Sequence, residues 1–581
     1  MKIKHLNINT IFFIFILFFL PFSSSAHEYP KNYFRSPVDF KITLSGTFAE
    51  LRNNHFHSGI DIRTFTTGKK VYAIADGMVS RIKISAGGYG KALYIDHPNG
   101  YTSVYAHLKK FSPKIEAYIK SKQYIKKSFE IDLDLSKEDS HVREQFKFKK
   151  GEVIAYSGNT GSSGGPHLHF EVRETKTEFP INPMLLGLKI TDTTPPKIYK
   201  LYVYPLDKNS SVNGKNSRQA FTVSTRNKNS FFLKNSKMKL HGKIGFALHT
   251  YDLLDNTWGK CGINKLQLKI NDSLVSHYTL NQFSFDESSY INAHMDYELN
   301  HEENKRVHKA YIEPNNKLSF YSEMKTDGSY LFKENKDYKV ELSAYDSYQN
   351  RAKLQFTVKG DSTMISFPEE EYTALFAYQD ENRFERPGLE LKFPKDCLYA
   401  DLPFEYSTSN DSSFLTPIHH IHKPTVAVNK HYTLSIKVDE IPQELTEKLV
   451  IVQIDKEGEL SSAGGIYFDG FVKTKTKGLG DYAVKLDTIA PTVTTKTDYK
   501  NKNLSHLKVV DFTIKDDLAG IKSYVGEIDN KWVLFEFDRK KNRLFYTFDK
   551  KRITRNKKHH LKLIVKDAVG NEGSYECDFT W

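Results

Sequence analysis

The stretch Gly161–Glu171, G-S-S-G-G-P-H-L-H-F-E, constrains the chain more than any other, and it is read together with H-S-G-I-D from His57 to Asp61. In an extended segment side chains alternate between faces, so His167, His169 and Glu171 point one way while Leu168 and Phe170 enter a core. The same parity puts His57, Gly59 and Asp61 on one face, with Ile60 and Ile62 on the other. Helical spacing would also align His57 with Asp61, but Gly59 and the β-branched Ile60 and Ile62 favour a strand. Two histidines and a carboxylate are a usual protein set for catalytic zinc, which needs three ligands and an open position for water. A third histidine is left over to join the chemistry.

At 581 residues the chain is too long for one core, and several domains are expected. Lys2 and Lys4 precede an apolar run from Ile11 to Phe22, followed by S-S-S-A ending at Ala26, so residues 1–26 read as a signal peptide. The run is short for a membrane span and no cysteine follows it to carry a lipid, which favours an exported protein with no stable span after cleavage. The formal charge of +14 becomes +12 once Lys2 and Lys4 are removed. That excess suits contact with anionic polymers or headgroups, and equally a solvated basic surface such as Lys550 to Lys558. No nucleic-acid motif is present, and export argues against nucleic acid as a partner. Cys261, Cys397 and Cys577 are too few and scattered for a disulfide framework or zinc ribbon and read as buried thiols, with one long-range disulfide as the alternative.

The expected fold is mainly β. Residues 27–190 form an antiparallel β domain: Val71 to Ile84 reads as a hairpin turning at Asp76-Gly77, and Ala92–His97 pairs with Tyr101–Leu108 across P-N-G. Residues 111–150 interrupt it as an insertion beside the site, with a short helix capped by Ser112, opened by Pro113 and marked by apolar Ile115, Tyr118, Ile119 and Ile125, then the strand S-F-E-I-D-L-D-L. A lid or substrate wall and a plain excursion are both open readings. Further on, D-T-T-P-P (from Asp192) and D-T-I-A-P (from Asp487) look like matching domain entrances. The runs ending at Y-D-L-L-D-N (Tyr251 to Asn256), Y-D-S-Y-Q-N (Tyr345 to Asn350) and K-D-A-V-G-N (Lys566 to Asn571), with the turn D-D-L-A-G-I from Asp516, punctuate regular strands. Immunoglobulin-like β-sandwiches follow for 191–360 and 488–581, with a β-rich unit, also read as a sandwich, at 361–487.

A lone H-x-H or H-x-x-x-D is a weak signal; both in one domain, with matching parity and flanking glycines that let a substrate backbone approach, are stronger. H-S-G-I-D-I (His57 to Ile62), G-Y-G-K-A-L-Y-I-D-H-P-N-G-Y (Gly88 to Tyr101), Y-A-H-L (Tyr105 to Leu108), K-K-G-E-V-I-A-Y-S-G-N-T-G (Lys149 to Gly161) and G-P-H-L-H-F-E (Gly165 to Glu171) stand in order over most of residues 45 to 187. Together they resemble the lysostaphin and LytM-like zinc endopeptidases, whose domain is of the duplicated hybrid motif type. The resemblance implies that His57, Asp61 and His169 bind Zn2+, while His107 and His167 stand at the reaction centre without ligating it.

It also implies the substrate class, peptide cross-bridges of bacterial peptidoglycan, and a place in the periplasm or cell envelope, or outside the cell. The sandwiches would hold wall glycan or an envelope protein partner, or act as spacers. Some relatives lose metal ligands and activate other wall hydrolases, a role the five retained polar residues argue against. One departure stands out: the upstream tyrosine that many members place near the oxyanion is absent from Thr47 to Phe56. His55 forms a second H-x-H but lacks the four-residue spacing to Asp61; His97 and His141 read as turn and loop histidines. Glu171 either orients a ligating histidine from behind or forms a surface ion pair.

Overall fold

Strand-period sequence runs through nearly the whole chain, and the computed structural model is accordingly mainly β. It describes residues 29–234, 237–255, 259–368 and 371–581, so the expected signal peptide lies outside the described residues. Among them no helix is long and apolar enough to cross a membrane.

The first unit contains β1 (Leu44–Gly46), β2 (Ile60–Arg63), β3 (Lys70–Tyr72), β4 (Gly77–Ile84), β5 (Lys91–Asp96), β6 (Tyr101–Ala106), β7 (Lys110–Phe111), α1 (Pro113–Lys126), β8 (Ile131–Asp134), β9 (Lys147–Phe148), β10 (Val153–Tyr156) and β11 (His167–Glu174). The main antiparallel sheet runs β1-β2-β11-β6-β5-β4-β8, and a small sheet β3-β10-β7 stands apart from it. Ile60, Ile62, Leu168 and Phe170 are fully buried in one core, which leaves the alternate residues of β2 and β11 on the opposite face. The register places His169 directly across from Asp61. Strand pairing therefore builds the site's central pair.

The β5–β6 hairpin forms as expected, with Leu93 opposite Tyr105 and Gly100 at positive φ in the connection. Three other expectations are corrected. Val71 to Ile84 is no hairpin, because β3 and β4 belong to different sheets. Gly77 opens β4, where a Cβ would lie 2.6 Å from the Asp96 carbonyl, so close backbone approach and not a turn demands that glycine. His57 to Gly59 precede β2 as a loop, so strand parity governs Asp61 alone. Within the segment 111–150, β8 does not sit beside the site: it pairs with β4 at the far edge of the sheet, four strand spacings, roughly 19 Å, from β11. In α1 Ser112 is the N-cap and Ile115 and Ile119 are buried, but Ile125 points outward at 76% exposed.

A second unit, between Lys197 and Gly360, is organised on the long strand Met238–Tyr251, which pairs at one end with Arg351–Gly360 and at the other with Lys197–Pro205. A third, Ala374 to Leu486, contains two five-stranded sheets, and a fourth, Thr492 to Thr580, a four-stranded and a five-stranded sheet. The three cysteines are buried and free. The first two units are not separate bodies. Phe48, Ala49, Leu51 and Phe56, from the segment joining β1 to β2, belong to the apolar core of the second unit, where Phe56 packs against Phe283 and Phe320.

Candidate metal centre

Asp61 on β2 and His169 on β11 meet through strand register; His57 joins them from the loop before β2. His57 Nε2, Asp61 Oδ1 and His169 Nδ1 lie 3.0 to 3.1 Å from one another. The far side of each ring fixes its tautomer. His57 Nδ1 is 2.7 Å from the Thr47 carbonyl and must donate to it. His169 Nε2 is 2.8 Å from Glu171 Oε1 and donates to that carboxylate. Two imidazole lone pairs and a carboxylate oxygen then converge on one buried point. Such a set is repulsive by itself and suits a cation, with ring N–H groups anchored from behind in the manner of histidine metal ligands.

The electrostatics agree. Burial opposes the charge on Asp61, yet the three histidines around it hold its carboxyl well below the usual range. Burial also works against a charged His169, but Asp61 and Glu171 outweigh it and raise the ring's pKa to about 9 in the absence of metal. Arg52 binds the other Asp61 oxygen at 3.1 Å and Glu50 at 3.0 Å, which orients the carboxylate.

His107 and His167 flank this trio, with ring centroids 4.8 Å apart. His107 Nδ1 is 2.8 Å from the Thr160 carbonyl and His167 Nδ1 is 2.9 Å from that of Gly165, so both rings carry their proton there and expose Nε2. His167 Nε2 stands 3.4 Å from Asp61 Oδ1. Burial first, then the neighbouring His169 and His167, pushes the His107 pKa down to about 3, and the ring is neutral at neutral pH.

Glu171 is no surface ion pair. It is fully buried and accepts from His169, Ser58, Tyr89 and Arg173, whose Nε is 2.7 Å away. Burial opposes its charge, but Arg173 and then His169 hold its carboxyl well below the usual carboxylate range. Tyr89 stacks on the His169 ring at 5.1 Å and its hydroxyl is committed to Glu171 and Ser58, so it leaves the oxyanion role of the missing tyrosine unfilled. His55 is exposed against its own loop at Asn53, His141 is exposed, and His97 is a buried core residue held between Asp76 and Ser103. Arg52, Ser58 and Tyr89 escape sequence reasoning, because each reaches the site by way of a loop that has no period.

Gly59 serves packing: a Cβ there would lie 2.3 Å from the Phe170 carbonyl and 2.8 Å from Glu171 Cγ. Gly59→Ala should cost about 1–3 kcal/mol and weaken metal binding, because relief of the clash moves His57 away from β11. Denaturant unfolding with and without added zinc measures both; an unchanged metal affinity would refute the reading.

Residues 55–132 and 133–183 match the model of peptidase family M23. The first unit is an M23 peptidase domain. Residues 373–487 match a Zu5-like domain. Over 138 residues the chain is 34% identical to a DD-carboxypeptidase/endopeptidase, Mpg, of Neisseria meningitidis serogroup B, 24% of each chain. Over 151 residues it is 30% identical to the murein hydrolase activator NlpD of Salmonella dublin, 26% of this chain and 31% of that one. The chain thus spans about a quarter to a third of these relatives' length. A solved zinc-containing peptidase from Vibrio cholerae is similar at 28% identity, covering 26% of this chain and 40% of its own, with a TM-score of 0.19.

The other units reach the M23 site from two sides. Thr47, whose carbonyl holds His57, exchanges hydrogen bonds with the Gly262 backbone of the second unit. From the fourth unit Lys540 Nζ donates to the Asn159 and Ser163 carbonyls at 2.6 and 2.8 Å, on the loop whose Thr160 carbonyl orients His107 and whose Ser163 hydroxyl lies 3.1 Å from His167 Nδ1. Tyr124 of α1 meets Trp532 and Arg552 of the same unit, so the 111–150 segment is a platform for it. Lys540→Ala should lower kcat of the M23 domain several-fold with zinc content unchanged. Loss of zinc in that variant would refute this division.

Proposed function

We propose that the chain is an exported zinc metalloendopeptidase that hydrolyses peptide cross-bridges of bacterial peptidoglycan. His57, Asp61 and His169 are the metal ligands, and His107 and His167 the residues that move protons. One observation carries this reading: three donor atoms within 3.1 Å of one another, each histidine anchored through its other ring nitrogen. The substrate class comes from the relatives, among them the DD-carboxypeptidase/endopeptidase. Zinc supplies a Lewis acid that polarises the scissile carbonyl and acidifies water.

The chain's residues do the rest. Asp61 and the two lone-pair nitrogens would hold the ion, with Arg52 and Glu171 fixing their orientation. With Nδ1–H given to a backbone carbonyl, the Nε2 of His107 or His167 can take the proton of the attacking water. The imidazolium so formed stabilises the oxyanion and protonates the leaving amine. The sandwich units raise the local concentration of a polymer substrate by holding wall glycan or an envelope partner, and nucleic acid has no place in the scheme.

Digestion of purified cell wall tests this, comparing wild type with His167→Ala and a chelated control, with fragments identified by mass spectrometry. New peptide termini that vanish in both controls are expected and would name the bond cut. No release from a fully zinc-loaded wild type would instead favour a regulator of other wall hydrolases, a role carried in name by the Salmonella relative.

A further inference from the structure

The repeated aspartates noted in the sequence come together in the fold. Asp192, Asp252 and Asp346 in the second unit, and Asp487, Asp516 and Asp567 in the fourth, each converge with carboxylate oxygens within 4.8 Å of one another. The turns that bear Asn350 and Asn571 match atom for atom. Asn350 donates its backbone N–H to Asp346 Oδ1 and its amide to Asp346 Oδ2 and the Asp192 carbonyl; Asn571 does the same for Asp567 and the Asp487 carbonyl. Tyr348 N and Val569 N fill the same place on Asp346 and Asp567.

Five of the six side chains are at most 8% exposed. In each cluster a carboxylate oxygen is fully buried with no hydrogen-bond partner among the described residues: Asp192 Oδ2, in a side chain whose Oδ1 takes the Thr194 and Asp255 N–H groups, and Asp516 Oδ1. A buried, unpartnered carboxylate oxygen facing two further carboxylates needs a positive charge. Among the described residues no basic side chain supplies it: burial raises Asp192, Asp252 and Asp516, and the charges that add to the rise are those of neighbouring aspartates. Oxygen donors without histidine or thiolate suit a hard cation and not zinc.

We propose that these clusters are two calcium sites, each taking one Ca2+ on three aspartates. Asp192 and Asp487 stand at the entrances of their sandwiches, and Asp346 and Asp567 in closing turns, so each ion ties the incoming chain to the fold it enters. The first site lies between the M23 domain and the unit whose core holds Phe56, which makes the joint behind the zinc centre calcium-dependent. Weak sites serve an exported protein, since extracellular calcium modules work at about 10⁻⁴–10⁻³ M.

The test uses the zinc-loaded full chain in calcium-free buffer, titrated with Ca2+ by calorimetry and unfolded thermally at each concentration. Two Ca2+ per chain are expected, with an unfolding midpoint that climbs with each tenfold rise in calcium. Asp252→Asn and Asp516→Asn should each leave one site. Without calcium either variant should unfold at or above the wild-type temperature, because a like charge is gone; in saturating calcium it should unfold below it. This crossing separates ligation from simple packing. Absence of binding up to about ten times the range above, a preference for Mg2+ over Ca2+, or variants that match wild type in calcium would each overturn the proposal. So would a loss of wild-type stability between about pH 4 and 7 that calcium does not restore, since the clusters would then hold protons.

Discussion

Alanine at His169 should remove zinc and turnover together, whereas alanine at His107 should leave the metal in place and slow hydrolysis by about 10²–10⁴-fold. The difference follows from geometry. His169 Nδ1 is 3.0 Å from both other donor atoms, and its loss leaves two ligands and takes one of four partners from Glu171. His107 faces the site beside His167, tethered to the Thr160 carbonyl; its ring stands 5.8 Å from that of His169 but hydrogen-bonds to none of the three donor atoms. Metal analysis of the two purified variants beside their rates on cell wall decides it. Zinc retained at full stoichiometry in His169→Ala, or lost from His107→Ala, would sink the assignment of roles. His57→Ala should behave as His169→Ala does, and His167→Ala as His107→Ala.

Phe56→Ala should cost about 3–5 kcal/mol of stability and weaken zinc binding as well, although the ring touches no ligand. Phe56 is 1% exposed and packs in the core of the second unit, one residue before His57. Truncation opens a cavity there and frees the segment from Thr47 to His57, whose carbonyl at Thr47 sets the ligating tautomer. A comparably buried truncation remote from that loop, such as Phe512→Ala in the fourth unit, should cost similar stability and leave metal affinity alone. If both variants bind zinc as wild type does, the second unit does not brace the metal centre.

Local alternation was enough to assign His167, His169 and Glu171 to one face and Leu168 and Phe170 to the core, because the pleat repeats every two residues whatever the neighbours do. The mainly β fold, the β5–β6 hairpin and the helix after Ser112 were legible for the same reason: each depends on period or on turn chemistry within a few residues. Asp76-Gly77 shows the limit. The dipeptide has the composition of a tight turn, but its glycine answers to the Asp96 backbone, which sits nineteen residues away in sequence and 2.6 Å from a would-be Cβ.

By itself, then, the sequence singled out the candidate residues and determined which way those on β11 face. Tertiary structure alone decided that Asp61 sits opposite His169, that Glu171 is buried behind the ring with Tyr89 and Arg173, that the loop before His57 is rooted in another unit's core, and that Lys540 braces the loop behind His107. The physical reason is that these contacts join residues tens to hundreds of positions apart. Burial and strand register, which set them, are properties of the assembled sheets and have no local period to read.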